Sequence, residues 1–163
     1  SLGFVDAQNE YAAEGRDGDP AGVYAPKLIS DEGTQNGVYW PTAEGDPQSP
    51  AGPFVAAAAG EGYRKGADRT PYHGYYYRLL QRQGKHAASG AQDYVVGGRA
   101  IGGFAVLAYP ARYANSGIMS FIVNQDGKIH QSDLGPDTQA KALKMQQYDP
   151  GPGWSPVDAG NAR

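Results

Sequence analysis

The side chains best suited to chemistry in this chain are carboxylates and imidazoles, and the first candidates are two aspartates. Asp17 and Asp19 lie two positions apart in a loop rich in glycine and proline. Aspartates at this spacing open the oxygen-rich loops that bind calcium, so the pair is a candidate calcium site. However, Pro20 and Ala21 stand where a further ligand is needed, and no glutamate closes the loop as a calcium frame requires. An acidic turn after a helix is therefore the favoured interpretation.

Three histidines are the other candidates for metal binding or acid–base catalysis. His73, His86 and His130 are far apart in sequence, and no two of them are spaced as in a zinc motif. A ligand-binding or hydrolytic pocket formed by loops around His73, with Tyr72 and Asp93, is an alternative. A close histidine–carboxylate pair in a deep pocket would support it. The favoured interpretation is that all three are surface or structural histidines.

Motifs for nucleophilic catalysis and for phosphate binding are missing from the sequence. There is no G-x-S-x-G, and Ser116 stands between turn formers. The glycines of VVGGRAIGGF lack the lysine of a phosphate-binding loop, and an apolar strand rather than a helix follows them. We predict that Gly97 and Gly98 form a hairpin turn, and that Gly102 and Gly103 permit a bulge or a close backbone approach. The protein is therefore expected not to be an enzyme.

Composition limits the class of protein and of partner. The 163 residues make about one domain, and 24 glycines and 12 prolines place much of the chain in turns. The formal net charge of -3, with no basic block, argues against nucleic acid, because phosphate neutralisation needs clustered lysine and arginine. There is no cysteine, which excludes disulfides and thiolate metal sites. No apolar run approaches the ~18 residues of a transmembrane helix.

Helices are predicted near both ends of the chain. Residues 1–13 carry an amphipathic apolar stripe that Gly15 would end. Residues 138–147 form a second predicted helix, with Asp137 as its N-cap. A short helix at 53–59 interrupts an otherwise loop-rich first half.

Between the terminal helices, apolar runs separated by turn residues predict one antiparallel sheet. The predicted strands are 75–83, 93–96, 101–109, 118–123 and 128–132. The last two flank Asn-Gln-Asp-Gly, a strong hairpin signal. We therefore predict a single α+β domain. Its parts are a helix and loop-rich segment over 1–70, a four- to five-stranded antiparallel sheet over 71–135, and a C-terminal helix and tail over 136–163.

Tyrosines cluster in and beside the predicted sheet, and alternation along a strand turns about half of them outward. Tyrosine is a favoured strand residue, but outward tyrosines also form protein-binding surfaces. We expect the face with Tyr76 and Arg78 to stay partly exposed, because the terminal helices are predicted to cover only one side of the sheet. The predicted interface residues are Tyr75, Tyr76, Tyr77, Arg78, Tyr109 and Tyr113.

Long segments of the chain resemble one known family. PYHGYYYRLL, DYVVGGRAIGGFAVLAYPARY and SGIMSFIVNQDG are closely similar to segments of the bacterial domain-of-unknown-function family 2950, as are VDAQNEYAAEG and GVYWP. The resemblance covers almost the whole chain. It implies an exported protein of the bacterial envelope with no assigned activity, so no catalytic residue can be carried over. The family's acidic loop often reads D-x-D-G-D-G, and the departure here at Pro20 and Ala21 weakens the calcium interpretation.

A fainter similarity is to type IV pilin-like and pseudopilin proteins, although the long apolar helix of a pilin is missing. Because the chain starts at Ser1 and the family has a signal peptide and an upstream region, we expect a C-terminal portion of a longer periplasmic or extracellular protein. The predicted function is a non-enzymatic structural or accessory protein-binding module, as a subunit of a larger assembly. The expected partner is another protein, a second copy or the upstream segment of its own precursor. A pocket around His73 and a calcium-binding extracellular module remain the alternatives.

Overall fold

The computed structural model describes residues 2–15, 18, 20–40, 42, 45, 49–50, 74–88, 90–96 and 99–157. Within these ranges the chain forms two helices, α1 (Leu2–Glu14) and α2 (Thr138–Lys144). The described strands are β1 (Lys27–Ile29), β2 (Gly37–Tyr39), β3 (Tyr75–Leu80), β4 (Arg82–Gln83), β5 (Gln92–Asp93), β6 (Val95–Val96), β7 (Arg99–Ala100), β8 (Ala105–Pro110), β9 (Met119–Asn124), β10 (Ile129–Asp133), β11 (Gln147–Tyr148) and β12 (Ser155–Pro156).

The main sheet has five strands in the order β12, β10, β9, β8, β3, and every pairing in it is antiparallel. The α+β class predicted from the sequence is therefore confirmed. The predicted hairpin between β9 and β10 is present: Gly127 has φ 74°, and its amide donates to the Asn124 carbonyl at 2.9 Å. The described residues also form three smaller sheets: β1 with β2, β4 between β5 and β11, and β6 with β7.

Several predicted element boundaries were wrong. The run 75–83 is not one strand, because the chain leaves the main sheet after Leu80 and β4 pairs with β5 and β11 instead. The strand predicted from residue 101 begins at Ala105. The C-terminal helix stops at Lys144, and Asp137 makes no side-chain capping bond; the Thr138 hydroxyl donates to the Gly135 carbonyl instead. Gly97, Gly98 and the helix predicted at 53–59 lie outside the described residues.

The two faces of the main sheet carry separate cores. On one face, Val5 and Tyr11 of α1 pack in one cluster with Val106 and Val123. On the other, Ala142 of α2 packs in a cluster with residues that alternate with these along the strands, namely Leu80, Ala105, Leu107, Tyr109 and Ile122. The expectation that both terminal helices cover the same side is therefore wrong. β8 is buried along its whole length: it is an interior strand of the sheet, and core clusters with residues of α1 and of α2 lie on its two faces.

A buried glutamine attaches α1 to the chain that follows it. Gln8 is fully buried, its Nε2 donates to the Ala25 carbonyl at 2.9 Å, and its Oε1 accepts from the Ala25 amide at 2.8 Å. The side chain thus satisfies both backbone groups of a buried residue, as a paired strand would. This contact fixes the loop before β1 against the helix.

Candidate functional site

The strand β3 presents its tyrosines to two different faces, so the predicted interface residues divide into two groups. Tyr76 and Arg78 point to the face that α2 covers. Arg78 Nη1 donates to the carbonyls of Ala142 at 2.6 Å and Met145 at 2.9 Å, at the C-terminal end of α2. The guanidinium therefore caps this chain's own helix.

Tyr109 lies in the core between β3 and β9, and the centroid of its ring is 5.6 Å from that of Tyr76, with the two rings tilted by 52°. It is only 1% exposed, so it cannot present its ring to a partner. Its place in the predicted interface was wrong. The physical reason is that β8 is a central strand with a helix over this face, which the alternation pattern alone does not reveal.

Tyr75 lies on the opposite face, where it pairs with Pro110 at the end of β8. Its hydroxyl donates to the Met119 carbonyl at 3.1 Å, and its ring centroid lies 6.0 Å from that of Phe121. Burial raises the pKa of Tyr75, so the hydroxyl stays protonated and available as a donor. Gly117 borders the ring so closely that a Cβ there would overlap the Tyr75 hydroxyl. The ring is therefore held in one position while remaining half-buried.

Tyr113 joins the same region through the loop before β9. Its hydroxyl donates to Asp133 Oδ1 at 2.7 Å, and this hydrogen bond raises the pKa of Tyr113. Tyr113 also forms a bridge with Gly117, and the neighbouring Ile118 is 51% exposed. The loop thus brings Tyr113 beside Gly117 and continues into the exposed Ile118. We call this set the aromatic patch; it consists of Tyr75, Tyr113, Ile118, Met119 and Phe121.

The patch residues Tyr75, Met119 and Phe121 lie on the same face of the sheet as α1, and Phe121 packs against the α1 cluster. That cluster holds Val106 opposite Val123, whereas Phe121 lies two residues away along β9, opposite Ala108. Four members of the patch are half-buried and Ile118 is exposed. Tyr77 is also half-buried on this face and packs against the α1 cluster. Of the six predicted interface residues, the structure therefore brings Tyr75, Tyr77 and Tyr113 to one face.

A separate cluster of buried polar side chains, which the sequence did not suggest, lies on the α2 side of the sheet. Gln83 is 1% exposed, and its Oε1 accepts from the Tyr94 hydroxyl at 3.1 Å and from Gln125 Nε2 at 3.3 Å. Its Nε2 donates to the Gly90 carbonyl at 2.7 Å. Burial raises the pKa of Tyr94 far above its ordinary value, so its hydroxyl remains a donor. The cluster satisfies its own hydrogen bonds and joins the small sheet to the end of β9. No sequence signal distinguishes these glutamines from exposed ones.

Within the described residues, a histidine and a carboxylate come together at His86. His86 Nδ1 lies 2.9 Å from Asp149 Oδ1, which also accepts from the His86 amide at 2.9 Å. The approach is close because Gly84 and Gly151 border the pair: a Cβ on Gly84 would lie 2.5 Å from Asp149, and one on Gly151 would lie 2.6 Å from the His86 ring. The pair connects the loop after β4 to the segment after β11.

The remaining candidates divide between the described residues and those outside them. His130 packs edge-on against Tyr148, and burial lowers its pKa. Asp93 is exposed and lies opposite Arg82 in the small sheet. The other candidate residues lie outside the described residues: Asp17, Asp19, Tyr72 and His73.

The described part of the chain contains no group of three side chains that could hold a metal ion. A cleft of about 50 Å³ lies between Leu79, Val95 and Phe104. It is far smaller than the roughly 300–1,000 Å³ of typical ligand pockets. Among the described helices, none has the length and apolarity needed to cross a bilayer.

Comparison with known proteins gives one match. The model of the family described as "Protein of unknown function (DUF2950)" matches residues 1–157. No curated protein and no solved structure matches the chain. The similarity to pilin-like proteins stays a prediction. Since the family match spans nearly the whole sequence, the chain belongs to the DUF2950 family.

Proposed function

We propose that this chain is a non-enzymatic protein-binding module of the bacterial envelope, and that the aromatic patch is its contact surface. The observation that carries the proposal is the partial exposure of Tyr75 and Phe121 on one sheet face, with the half-buried Tyr113 bonded to Asp133 and the exposed Ile118 directly before β9. Tyrosine and other aromatic residues are enriched where proteins bind one another, because they supply a large contact area at a low entropic cost. The family resemblance supports a location outside the cytoplasm.

The geometry of the patch favours recognition over chemistry. The hydroxyls of Tyr75 and Tyr113 donate to a backbone carbonyl and to Asp133, so their rings are held in place before any partner arrives. A surface that is already ordered loses little conformational entropy on binding. The same bonds occupy the hydroxyl groups that acid–base catalysis would need.

The experiment compares two exposed aliphatic residues on different surfaces. Ile118→Asp places a charge in the aromatic patch, and Leu143→Asp places one on α2, where the side chain is 43% exposed. The wild type and both variants are used to capture proteins from a solubilised bacterial envelope, and the captured partner is then purified and its Kd measured. We expect a weakening of at least about tenfold for I118D, because a buried unpaired charge is strongly unfavourable, and no change for L143D.

Two results would contradict the proposal. One is a partner that binds the wild type and I118D equally, since the aromatic patch then lies outside the contact. The other is equal weakening by both variants, which would indicate a general effect of added charge. If the partner is a second copy of the chain, light scattering replaces the capture step, and the same comparison of variants applies.

A further inference from the structure

The loop between β1 and β2 contains Asn36 followed by Gly37, the only Asn-Gly pair in the sequence. This dipeptide is chemically labile, because glycine has no Cβ to shield its amide nitrogen from the preceding side chain. The nitrogen attacks Cγ of Asn36, a five-membered imide forms and ammonia leaves. Water then opens the imide at either carbonyl, which gives aspartate or an isoaspartate whose main chain runs through Cβ. The loop therefore carries a site of spontaneous covalent modification.

A buried serine holds the attacking nitrogen. Gly37 is buried, and its amide donates to Ser30 Oγ at 2.8 Å. The Ser30 hydroxyl donates to the Gly37 carbonyl at 3.3 Å, and Ser30 is only 4% exposed. The amide must lose its proton to attack, and the resulting anion would face a hydroxyl oxygen whose own proton is donated elsewhere. The contact with Ser30 therefore opposes the first step of the reaction.

The group that would be attacked is held as well. Asn36 Oδ1 accepts from the Asp31 amide at 2.9 Å and from the Thr34 hydroxyl at 2.8 Å. Asn36 Nδ2 donates to Asp31 Oδ2 at 2.8 Å. Ring closure requires the side chain to rotate until Cγ meets the nitrogen of the next residue, and these hydrogen bonds resist that rotation. Both reacting groups are thus bound to other partners of the same loop.

Modification at this position would affect the contact between β2 and α1. The Tyr11 hydroxyl of α1 donates to the Gln35 carbonyl at 2.5 Å, and Val38 is 2% exposed in the core cluster that contains Tyr11. An isoaspartate at position 36 lengthens the main chain between these two contacts and shifts β2 relative to β1. An aspartate places a second carboxylate beside Asp31 Oδ2, where Asn36 now donates. Either product weakens the packing of β2 on α1.

We propose that Asn36 is a latent deamidation site, that Ser30 protects it in the folded chain, and that its modification loosens β2 from α1. All the contacts that hold the two reacting groups come from residues 30–37. Loss of one side chain in this loop therefore exposes the site while the rest of the chain stays folded.

The test follows the reaction in the whole chain at mildly alkaline pH by peptide mapping and mass spectrometry, which separate asparagine, aspartate and isoaspartate at position 36. The chain unfolded in guanidinium chloride gives the unprotected rate. We expect the folded wild type to react at least about tenfold more slowly, and Ser30→Ala to raise the folded rate about tenfold, since one hydrogen bond is worth about that factor. Thr34→Val should also raise it, because Asn36 Oδ1 loses a donor.

The matched control is Gly102→Ala, which destabilises the chain at a distant contact with the Asp93 carbonyl oxygen. Its rate should equal that of the wild type if protection is local. The modified fraction of S30A carries one more negative charge and separates by anion exchange. We expect it to melt at a lower temperature than the unmodified fraction.

Three outcomes would overturn the proposal. The first is a folded wild type that reacts as fast as the unfolded chain. The second is an equal acceleration by S30A and G102A, which would assign protection to global stability. The third is a modified fraction with an unchanged melting temperature. If S30A does not fold, T34V decides between acceleration and none. The assay involves no partner, so its failure leaves the proposal for the aromatic patch standing.

Discussion

Replacing Gln8 tests whether one buried side chain joins α1 to the following loop. Gln8→Leu keeps the volume and the helix propensity but leaves the amide and the carbonyl of Ala25 without partners. Ala25 is 3% exposed, so water does not replace the lost bonds. Each unsatisfied group costs about 1–3 kcal/mol, and the greater burial of apolar surface offsets part of this. We expect a net loss of roughly 2–3 kcal/mol in the free energy of unfolding.

Urea denaturation followed by tyrosine and tryptophan fluorescence measures this loss, and a thermal melt should fall by about 5–10 °C for a chain of this size. Asn9→Leu is the control, because Asn9 is exposed on the same helix and should change stability by no more than about 0.5 kcal/mol. Gln8→Glu tests the same contact through the pH dependence of stability. Its ionised carboxylate would face the Ala25 carbonyl, whereas its protonated form can donate to it. The Q8E variant should therefore become more stable on acidification.

The reasoning fails if Q8L and N9L lower the free energy of unfolding equally. It also fails if Q8E shows no gain in stability at acid pH relative to the wild type. In either case the bonds to Ala25 would contribute nothing beyond helix propensity. A change in the slope of unfolding free energy against urea would point instead to an altered unfolded state.

Three further predictions concern other contacts. Arg78→Met should lower the free energy of unfolding by about 1–3 kcal/mol, because two carbonyls at the end of α2 lose a charged donor. Urea denaturation measures this loss, and an unchanged midpoint would refute the capping contact. Gly102→Ala should lower the free energy of unfolding by about 1–3 kcal/mol, because the new Cβ would overlap the Asp93 carbonyl oxygen. A melting temperature equal to that of the wild type would contradict the close approach. Burial lowers the pKa of His130, so the unfolded state binds its proton first and the wild type should lose stability as the pH falls below about 6.5. His130→Gln should flatten that part of the stability–pH curve, and an identical slope in both proteins would count against the burial of His130.

The local pattern of the sequence was enough to predict the fold class and the sites of several turns. Alternating and continuous apolar runs indicated antiparallel strands, and Asn-Gln-Asp-Gly marked the β9–β10 hairpin that the structure contains. These features depend on neighbours within a few residues, so they can be predicted without tertiary information. The motifs of the chain also identified its family, which the match over residues 1–157 confirmed.

The candidate site was only partly predictable. Tyr75, Tyr77 and Tyr113 were predicted as interface residues and share one face, whereas Tyr109 of the same set is buried. Alternation separates the two faces of a strand and does not say what lies over each. The burial of Gln8 and Gln83 was not predicted, because a polar side chain is buried wherever a distant partner satisfies it.

The sequence by itself determined the α+β class, the strand-rich segment and the family, since all three follow from short-range order along the chain. Only the tertiary structure decided that α1 and α2 cover opposite faces, that residues 155–156 add a strand beside β10, and that Arg78 caps α2. The physical reason is that each of these depends on contacts between segments far apart in sequence. Such contacts form when a whole face is removed from water, and the pattern of one segment does not specify which other segment will cover it.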